Sequence, residues 1–177
     1  RPAPPYSLVQ SCTVRPSAVR TRAPSARTRC VGPPGPPNIA SGPFERVVSG
    51  LPAGGNHWTR TIRFGPDGWL YVSIGSSCNA CVEKDGRRAA IVRYRPDGSG
   101  EEIFATGLRN AVGFDFHPQD GTIYATDNGR DLLGDDFPPC EWNRVEKGGF
   151  YGWPFANGNR VADPDLGTGR AAEIARS

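Results

Sequence analysis

The sequence predicts an all-β fold built from short strands and tight turns. Glycine and proline account for 23 and 18 of the 177 residues, yet four Trp, five Tyr and eight Phe supply large side chains for a core. Short apolar runs are separated by turn signals such as Pro-Asp-Gly, which favour hairpins. A mean hydropathy of −0.49 and the lack of a long apolar run argue against a membrane-spanning helix.

The first 43 residues are predicted to form a disordered tail. Residues 1–44 hold six Arg, no Lys, no acidic residue and ten of the 18 prolines, and they show no apolar periodicity. Such a composition buries too little apolar surface to fold by itself. A basic arm can bind nucleic acid, but this one lacks interleaved aromatic residues and Lys clusters, so we expect no nucleic-acid partner.

Residues 44–177 are predicted to form a partial β-propeller, because one unit occurs twice. Gly50 corresponds to Gly107, 57 residues later, and Phe64 corresponds to Phe116, 52 residues later. A repeat of this length, made of short strands and turns, is typical of four-stranded propeller blades. The segment would supply about two to two and a half blades, so we expect a fragment. The predicted strands include Thr61–Phe64, Leu70–Ile74, Ala90–Tyr94, Gly113–Phe116 and Thr122–Thr126.

His57 is the candidate general base. It follows Gly54-Gly55 and precedes the first predicted strand, at the blade end that would face a central channel. An imidazole has an ordinary pKa near 6.5, which suits proton abstraction at neutral pH. An ordinary histidine at the start of a strand is the alternative. His117 falls inside a turn and is predicted to be an exposed turn residue.

Arg109 occupies the corresponding approach in the second repeat, so His57 and Arg109 are expected to converge on one channel mouth. The loop after Thr122–Thr126 is acidic and begins with Asp127. Its oxygen atoms are of the type that calcium prefers, although the loop lacks the regular spacing of a known calcium loop.

Cys78 and Cys81 form a C-x-x-C, for which we predict a short local disulfide. The motif follows a strand, with no helix and no second pair, which argues against a thioredoxin-like site and a zinc ribbon. A disulfide indicates an oxidising compartment. Cys140 is predicted to pair with a residue outside this chain, and Cys12 and Cys30 lie in the tail.

Five motifs together resemble the soluble glucose/sorbosone dehydrogenase family, and its L-sorbosone dehydrogenase branch most of all. The branch is indicated by Ser76–Cys81 and Gly129–Asp136. The resemblance implies a six-bladed β-propeller that uses pyrroloquinoline quinone (PQQ) and calcium. The motifs are Asn56-His57, Phe64-Gly65-Pro66-Asp67-Gly68-Trp69-Leu70-Tyr71, Gly107-Leu108-Arg109-Asn110, Asp127-Asn128-Gly129-Arg130 and Lys147-Gly148-Gly149-Phe150-Tyr151-Gly152-Trp153-Pro154.

The resemblance implies an oxidoreductase that oxidises the hydroxyl or aldehyde carbon of a sugar, an aldose or sorbosone, by hydride transfer to PQQ. A histidine at the place of His57 would take the hydroxyl proton. The residues implied to bind PQQ are Arg109, Asn110 and Asn128. The backbone carbonyls of Gly129 and Arg130 would coordinate a calcium ion that acts as a Lewis acid.

The resemblance also implies a sugar substrate, an electron acceptor such as a quinone, a cytochrome or a dye, and a periplasmic or secreted location. Family members complete the cofactor pocket with later blades, so we expect little or no turnover from these 177 residues. A propeller that binds proteins or glycans without chemistry is the alternative, since one fold hosts many functions. His57 beside Arg109 and an acidic loop distinguishes the enzyme from such a module.

Overall fold

The computed structural model describes residues 45–177. The tail predicted over residues 1–43, with Cys12 and Cys30, lies outside the described residues, and the predicted boundary at residue 44 stays a prediction. The chain divides into two units, Arg1–Ser49 and Gly50–Ser177. In the first unit, residues 45–49 carry no helix or strand. The second unit contains every element described below.

Four short strands form the first antiparallel sheet, in chain order. Its first turn is the predicted Pro-Asp-Gly: Gly68 has a φ of +80°, which favours glycine, and the Trp69 N–H donates to Asp67 Oδ1 at 3.2 Å. The middle strands are buried along nearly their whole length. The strands are β1 (Ile62–Phe64), β2 (Leu70–Ile74), β3 (Ala90–Tyr94) and β4 (Glu102–Thr106).

Three strands form the second antiparallel sheet, again in chain order. Two of them were predicted, β5 as observed and β6 to within one residue at each end. The third was not predicted because Glu, Asn and Arg give it a polar composition, which reflects its position at the edge of the sheet. The strands are β5 (Gly113–Phe116), β6 (Ile123–Asp127) and β7 (Glu141–Val145).

The last part of the chain carries short elements that the sequence did not predict. They are the paired strands β8 (Ala156–Asn157) and β9 (Val161–Ala162), and the helix α1 (Ala171–Arg176). No helix within residues 45–177 is both long and apolar enough to cross a membrane. The successive four- and three-stranded antiparallel sheets are the blades expected from the repeat, so the prediction of an all-β partial propeller is confirmed.

One apolar cluster connects the two sheets. Tyr71 of β2 packs edge-to-face against Phe104 of β4 and Phe116 of β5, with ring centroids 5.2 and 5.1 Å apart. Ile91 and Leu108 are fully buried in the same cluster, and burial of each such side chain contributes about 1.5–3 kcal/mol. This packing fixes one sheet against the other and so positions the loops at the strand ends.

The predicted functional residues lie at one common end of the sheets. Because β1 and β2 are antiparallel, the segment that enters β1 and the segment that leaves β2 lie side by side, and the same holds for β5 and β6. A hydrogen bond of 2.8 Å from the Ser76 N–H to the Arg109 carbonyl joins the two sets. Loops from both repeats therefore meet, as the sequence predicted for His57 and Arg109.

Candidate active site

Two arginines hold the segment that carries His57. Each guanidinium donates hydrogen bonds to carbonyls of the Gly-rich stretch, which has few side chains of its own to pack. Arg60 donates to Pro52, His57 and Thr59, and Arg88 donates to Ala53, Gly54 and Gly75. The backbone around His57 is thus ordered by side chains from outside the stretch.

The hydrogen bonds of His57 determine which ring nitrogen carries the proton. Nδ1 lies 2.8 Å from Ser76 Oγ and 3.1 Å from the Ser76 carbonyl oxygen. The carbonyl can only accept, and the Ser76 hydroxyl donates its single proton to the Cys78 carbonyl at 2.7 Å. Nδ1 is therefore the donor, and Nε2 carries the lone pair. Within residues 45–177, Nε2 has no hydrogen-bond partner.

Burial lowers the pKa of His57 below its ordinary 6.5, and the positive charges of Arg109 and Arg88 act in the same direction. The hydrogen bond to the Ser76 carbonyl and the charge of Asp131 oppose this shift. The ring is accordingly neutral at pH 7. A neutral imidazole with an open Nε2 can accept a proton from a bound hydroxyl.

Gly75 lets His57 and Asn110 approach each other. A β-carbon at this position would lie 2.5 Å from His57 Cβ and 2.9 Å from Asn110 Oδ1, closer than such atoms pack. The side-chain amide of Asn110 makes no hydrogen bond within the described part of the chain, so it is available to a ligand. The structure thus brings these two predicted residues to one place.

The guanidinium of Arg109 is saturated with hydrogen bonds. Its side chain is only 4% exposed. All three nitrogens donate, and the five acceptors match its five N–H groups. The acceptors are the Asn79 carbonyl (2.9 Å) and Oδ1 (2.8 Å), the carbonyls of Asn128 (3.2 Å) and Gly129 (2.8 Å), and Asp131 Oδ2 (2.9 Å). In this arrangement Arg109 organises the protein and offers no free N–H to a ligand.

Asp127 supports the backbone of the same segment. Its carboxylate accepts the N–H groups of Arg109 at 2.8 Å and Asn110 at 2.5 Å. Burial raises the pKa of Asp127 to about 7, and the charge of Glu141 adds to this, while the two backbone hydrogen bonds oppose it. The sequence predicted that Asp127 lies in a loop whose oxygens suit calcium. In the structure its carboxylate is buried and accepts two backbone N–H groups instead.

The remaining predicted residues lie on the segment after β6. Asn128 is exposed, and its Oδ1 lies 4.0 Å from the Cys140 thiol. The Arg130 side chain is buried, and it pairs with Asp163 at 2.7 Å and Asp165 at 3.0 Å. The ion pairs of Arg130 hold this segment in place. The Arg130 side chain is therefore buried, whereas the Asn128 side chain faces solvent.

The Gly129 carbonyl, one of the two calcium ligands predicted from the resemblance, does not fit a cation in this arrangement, and the Arg130 carbonyl stays a prediction. The Gly129 carbonyl oxygen already accepts a hydrogen bond from Arg109 Nη1, so a calcium ion on that oxygen would stand against the guanidinium charge. Within residues 45–177, the group of side chains close enough to share a metal is Cys78, Cys81 and Glu83. Its two sulfurs are joined in a disulfide and cannot act as thiolate ligands.

The predicted Cys78–Cys81 disulfide is confirmed, and Cys140 is a free, exposed thiol. His117 lies in the turn between β5 and β6, half-buried, with Nδ1 3.2 Å from Asp120 Oδ1. His117 is therefore a turn residue, as predicted, although it is less exposed than expected.

Ser76 and Asn79 order the site although the sequence indicated no role for either, and Asp127 caps a backbone instead of serving in a calcium-type loop. Both lie in the Ser76–Cys81 motif, which was interpreted through its two cysteines and through the family resemblance that it carries. No local signal indicates these roles, because His57, Arg109 and Trp153, to which Ser76 and Asn79 bond, lie 19, 30 and 74 positions away along the chain.

The sequence model of the glucose/sorbosone dehydrogenase family matches residues 40–173. The chain belongs to this family. The match confirms the resemblance to the family, and the L-sorbosone dehydrogenase branch stays a prediction. All the predicted site residues, His57 and Arg109 among them, lie inside the segment that matches the glucose/sorbosone dehydrogenase family.

Individual relatives cover the chain only in part. An uncharacterized protein of Borreliella burgdorferi is 43% identical over 90 residues, which are 50% of this chain and 24% of that protein. The soluble aldose sugar dehydrogenase of Escherichia coli, in its apo form, is 22% identical, with 63% of this chain and 33% of that chain covered and a TM-score of 0.49. A putative oxidoreductase (glucose dehydrogenase) of Thermus thermophilus is 28% identical, with 68% and 40% covered and a TM-score of 0.49. Our chain spans about a quarter to a third of the length of the curated relatives it matches.

Proposed function

We propose that this chain supplies part of the active site of a sugar dehydrogenase, in which His57 accepts the proton of a substrate hydroxyl. The observation that carries the proposal is the state of the imidazole: Nδ1 donates to Ser76, and Nε2 is left open. Family membership supplies the class of reaction, and the site offers a base of the kind that this class requires.

The proposed reaction oxidises the hydroxyl or aldehyde carbon of a sugar, an aldose or sorbosone. The C–H electron pair leaves as a hydride, and the O–H proton passes to Nε2 of His57. Removal of the proton builds negative charge on the oxygen, which makes the same carbon a better hydride donor. Because the pKa of His57 lies below 6.5, the base is unprotonated at neutral pH.

When bound, PQQ would supply the two-electron acceptor for this hydride. Asn110 fits such a group, because its side-chain amide is unpartnered within residues 45–177 and lies beside His57 across Gly75. Asn128, exposed on the neighbouring segment, is the second residue that would hold it. Both amides can donate to the acceptor oxygens that a quinone carries.

Arg109 contributes to this proposal through the segment it holds in place. Its five N–H groups are used by protein oxygens, so a direct bond to PQQ stays a prediction from the resemblance. Calcium does not fit the Gly129 carbonyl, because that oxygen already accepts a hydrogen bond from the cationic Arg109 guanidinium.

The proposal includes an external electron acceptor, a quinone, a cytochrome or a dye, because a reduced cofactor must be reoxidised before the next turnover. It also includes a periplasmic or secreted location, since disulfides such as Cys78–Cys81 persist in oxidising compartments.

An equilibrium titration of the 177-residue chain with PQQ, followed by quenching of Trp fluorescence, tests the site without requiring turnover. We expect saturable binding that weakens up to about tenfold in Asn110→Ala, because a hydrogen bond between neutral groups contributes about 0.5–1.5 kcal/mol. Asn143→Ala is the matched control, since the Asn143 amide contacts only Glu141 on β7. A chain that does not bind PQQ, or binds it equally well as Asn110→Ala, contradicts the proposal.

The role of His57 is tested by PQQ-dependent reduction of a dye with an aldose as substrate, in a longer chain that supplies the remaining blades, because little or no turnover is expected from these 177 residues alone. His57→Gln is expected to lower kcat about 10²- to 10⁴-fold, because it removes a general base. The Kd for PQQ should stay unchanged. An unchanged kcat would overturn the base assignment and favour a binding module without chemistry.

A further inference from the structure

The loop over residues 76–81 makes more contacts with the site than its C-x-x-C motif suggests. Asn79 lies between the two half-cystines of the Cys78–Cys81 disulfide. The same loop is fixed at its start by Glu83, which accepts the Ser77 N–H at 2.5 Å and the Ser77 hydroxyl at 2.8 Å. A covalent ring of four residues and a carboxylate thus restrict the loop from both sides.

Asn79 makes five hydrogen bonds to three other segments. Its carbonyl accepts Arg109 Nε–H at 2.9 Å and the Trp153 indole N–H at 3.3 Å. Its Oδ1 accepts Arg109 Nη2–H and the Asp131 N–H, both at 2.8 Å. Its Nδ2 donates to the Asp131 carbonyl at 3.0 Å. Every polar atom of the side chain is used, and two of the five acceptors of Arg109 come from this one residue.

The same loop also reaches His57. The Cys78 carbonyl accepts the Ser76 hydroxyl, and this bond turns the Ser76 oxygen lone pairs toward the Nδ1–H of His57. Two adjacent carbonyls of this loop therefore act on the two side chains. The Cys78 carbonyl helps to set the tautomer of His57, and the Asn79 carbonyl helps to orient the Arg109 guanidinium. No other loop in residues 45–177 hydrogen-bonds both to Ser76 Oγ and to the Arg109 guanidinium.

We propose that Asn79, held by the Cys78–Cys81 disulfide, is the positioning residue that fixes the Arg109 guanidinium and the segment from Asn128 to Asp131 beside His57. We call the hydrogen bonds from Asn79 to Arg109 and Asp131 the clamp. The role of Asn79 in positioning groups for catalysis rests on the proposed function, whereas the existence of the clamp does not. Reduction of the disulfide, by two electrons and two protons from a dithiol, would break the S–S bond and release this clamp.

Hydrogen exchange of the Arg109 Nη2–H groups, measured by NMR on the 177-residue chain, tests the clamp directly, because Nη2 donates to Asn79 Oδ1. Asn79→Ala removes the three side-chain hydrogen bonds, including one to the charged guanidinium, so we expect exchange roughly tenfold faster than in the wild type. Asn79→Asp keeps an acceptor oxygen for Arg109 and should retain slow exchange. Asn143→Ala, on β7, is the control and should behave as the wild type.

The pKa of His57 gives a second readout, which loss of stability alone would not shift. The charged groups near the ring are Arg60, Arg88, Arg109 and Asp131. Of these, Arg109 lowers the pKa of His57 more than Asp131 raises it. If Asn79→Ala frees Arg109 and Asp131 to move away from the ring, the larger effect of Arg109 is lost. The pKa of His57 should therefore rise toward 6.5. With two histidines in the chain, His117 serves as the internal reference.

The disulfide is tested by repeating both measurements on the Cys78→Ser/Cys81→Ser double variant and on the wild type treated with a phosphine reductant. Both should reproduce the faster exchange of Asn79→Ala. If exchange and the His57 titration are unchanged in Asn79→Ala and after reduction, the clamp is overturned, whether or not PQQ binds. If they change while PQQ does not bind, the clamp stands and the proposed function fails.

Discussion

His57 and Arg109 occupy equivalent positions in the two repeats, each just before the first strand of its sheet, but their surroundings are opposite. His57 is half-buried, with one nitrogen bonded to Ser76 and the other unpartnered within residues 45–177. Arg109 is 4% exposed, with all five N–H groups bonded. The same position therefore holds a side chain that is available for chemistry in the first repeat, His57, and a side chain that orders the protein in the second, Arg109.

The difference arises from the oxygens that surround each side chain. The His57 ring hydrogen-bonds to Ser76 alone within residues 45–177. The Arg109 guanidinium hydrogen-bonds to the loop over residues 76–81 and to the segment after β6. A buried guanidinium is stable only when its donors are satisfied, and a neutral imidazole tolerates one open nitrogen. Substitutions at the two positions should consequently affect different properties.

The largest effect on stability is expected from Arg109→Leu. The change leaves the part-buried carbonyls of Asn128 and Gly129 without a donor, and each unsatisfied carbonyl costs about 1–3 kcal/mol. Urea unfolding measures it. Arg63→Leu is the matched control, since Arg63 is 51% exposed and its ion pair should contribute less than about 1 kcal/mol. Equal losses in the two variants would contradict the anchor role.

Gly75→Ala should destabilise the protein by about 1–3 kcal/mol, because its β-carbon would overlap His57 Cβ and force the loop apart. The variant should also separate His57 from Asn110 and so weaken PQQ binding. Gly86→Ala is the control, as its β-carbon would meet only Ile103 at 3.5 Å, an ordinary contact. Unfolding in urea and the PQQ titration check both effects, and a wild-type result for Gly75→Ala would refute the close approach.

Asp127→Asn should cost about 1–3 kcal/mol, because one carboxylate oxygen becomes an amide that faces a backbone N–H. The sign of its pH dependence follows from the raised pKa. The contribution of Asp127 is fully present below pH 3.8 and is lost as pH rises through about 7. Unfolding curves between pH 4 and 8 should show this loss in the wild type and lack it in Asp127→Asn. The same slope in both would exclude Asp127 as its source.

The smallest effect is expected from His57→Gln, which should change the free energy of unfolding by about 0.5–1.5 kcal/mol, one hydrogen bond. Its pH dependence has the opposite sign to that of Asp127. Because the pKa of His57 is lowered, its contribution is present above pH 6.5 and is lost as pH falls through the folded-state value. NMR titration of the imidazole checks this, with His117→Gln as control. A pKa of His57 above 6.5 would reverse the argument.

Much of the fold could be predicted because it depends on local signals. The Pro-Asp-Gly turn at 66–68 and the apolar run Leu70–Ile74 contain the chemistry of a hairpin in adjacent residues, and both were found. Strand β7 was missed because its polar residues acquire their strand conformation from pairing with β6. The helix α1 was missed because six Ala-rich residues have too weak a helical signal.

The site was predictable in part for the same reason. The repeat placed His57 and Arg109 at one end of the sheets, and the structure brings their loops together. The saturation of Arg109 could not be predicted, since its acceptors lie 19 to 30 positions away along the chain. Hydrogen bonds over such separations exist only after the strands have paired.

Local sequence features were enough to predict the all-β partial propeller, the family, the local disulfide and the residues that meet at the strand ends. Repeats, turns and a four-residue cysteine spacing are all properties of neighbouring residues. Three roles became visible after the strands had packed: His57 keeps Nε2 open, Asp127 caps a backbone and Asn79 holds Arg109. Those roles depend on burial and on which oxygens fold around a charge, and long-range packing sets both.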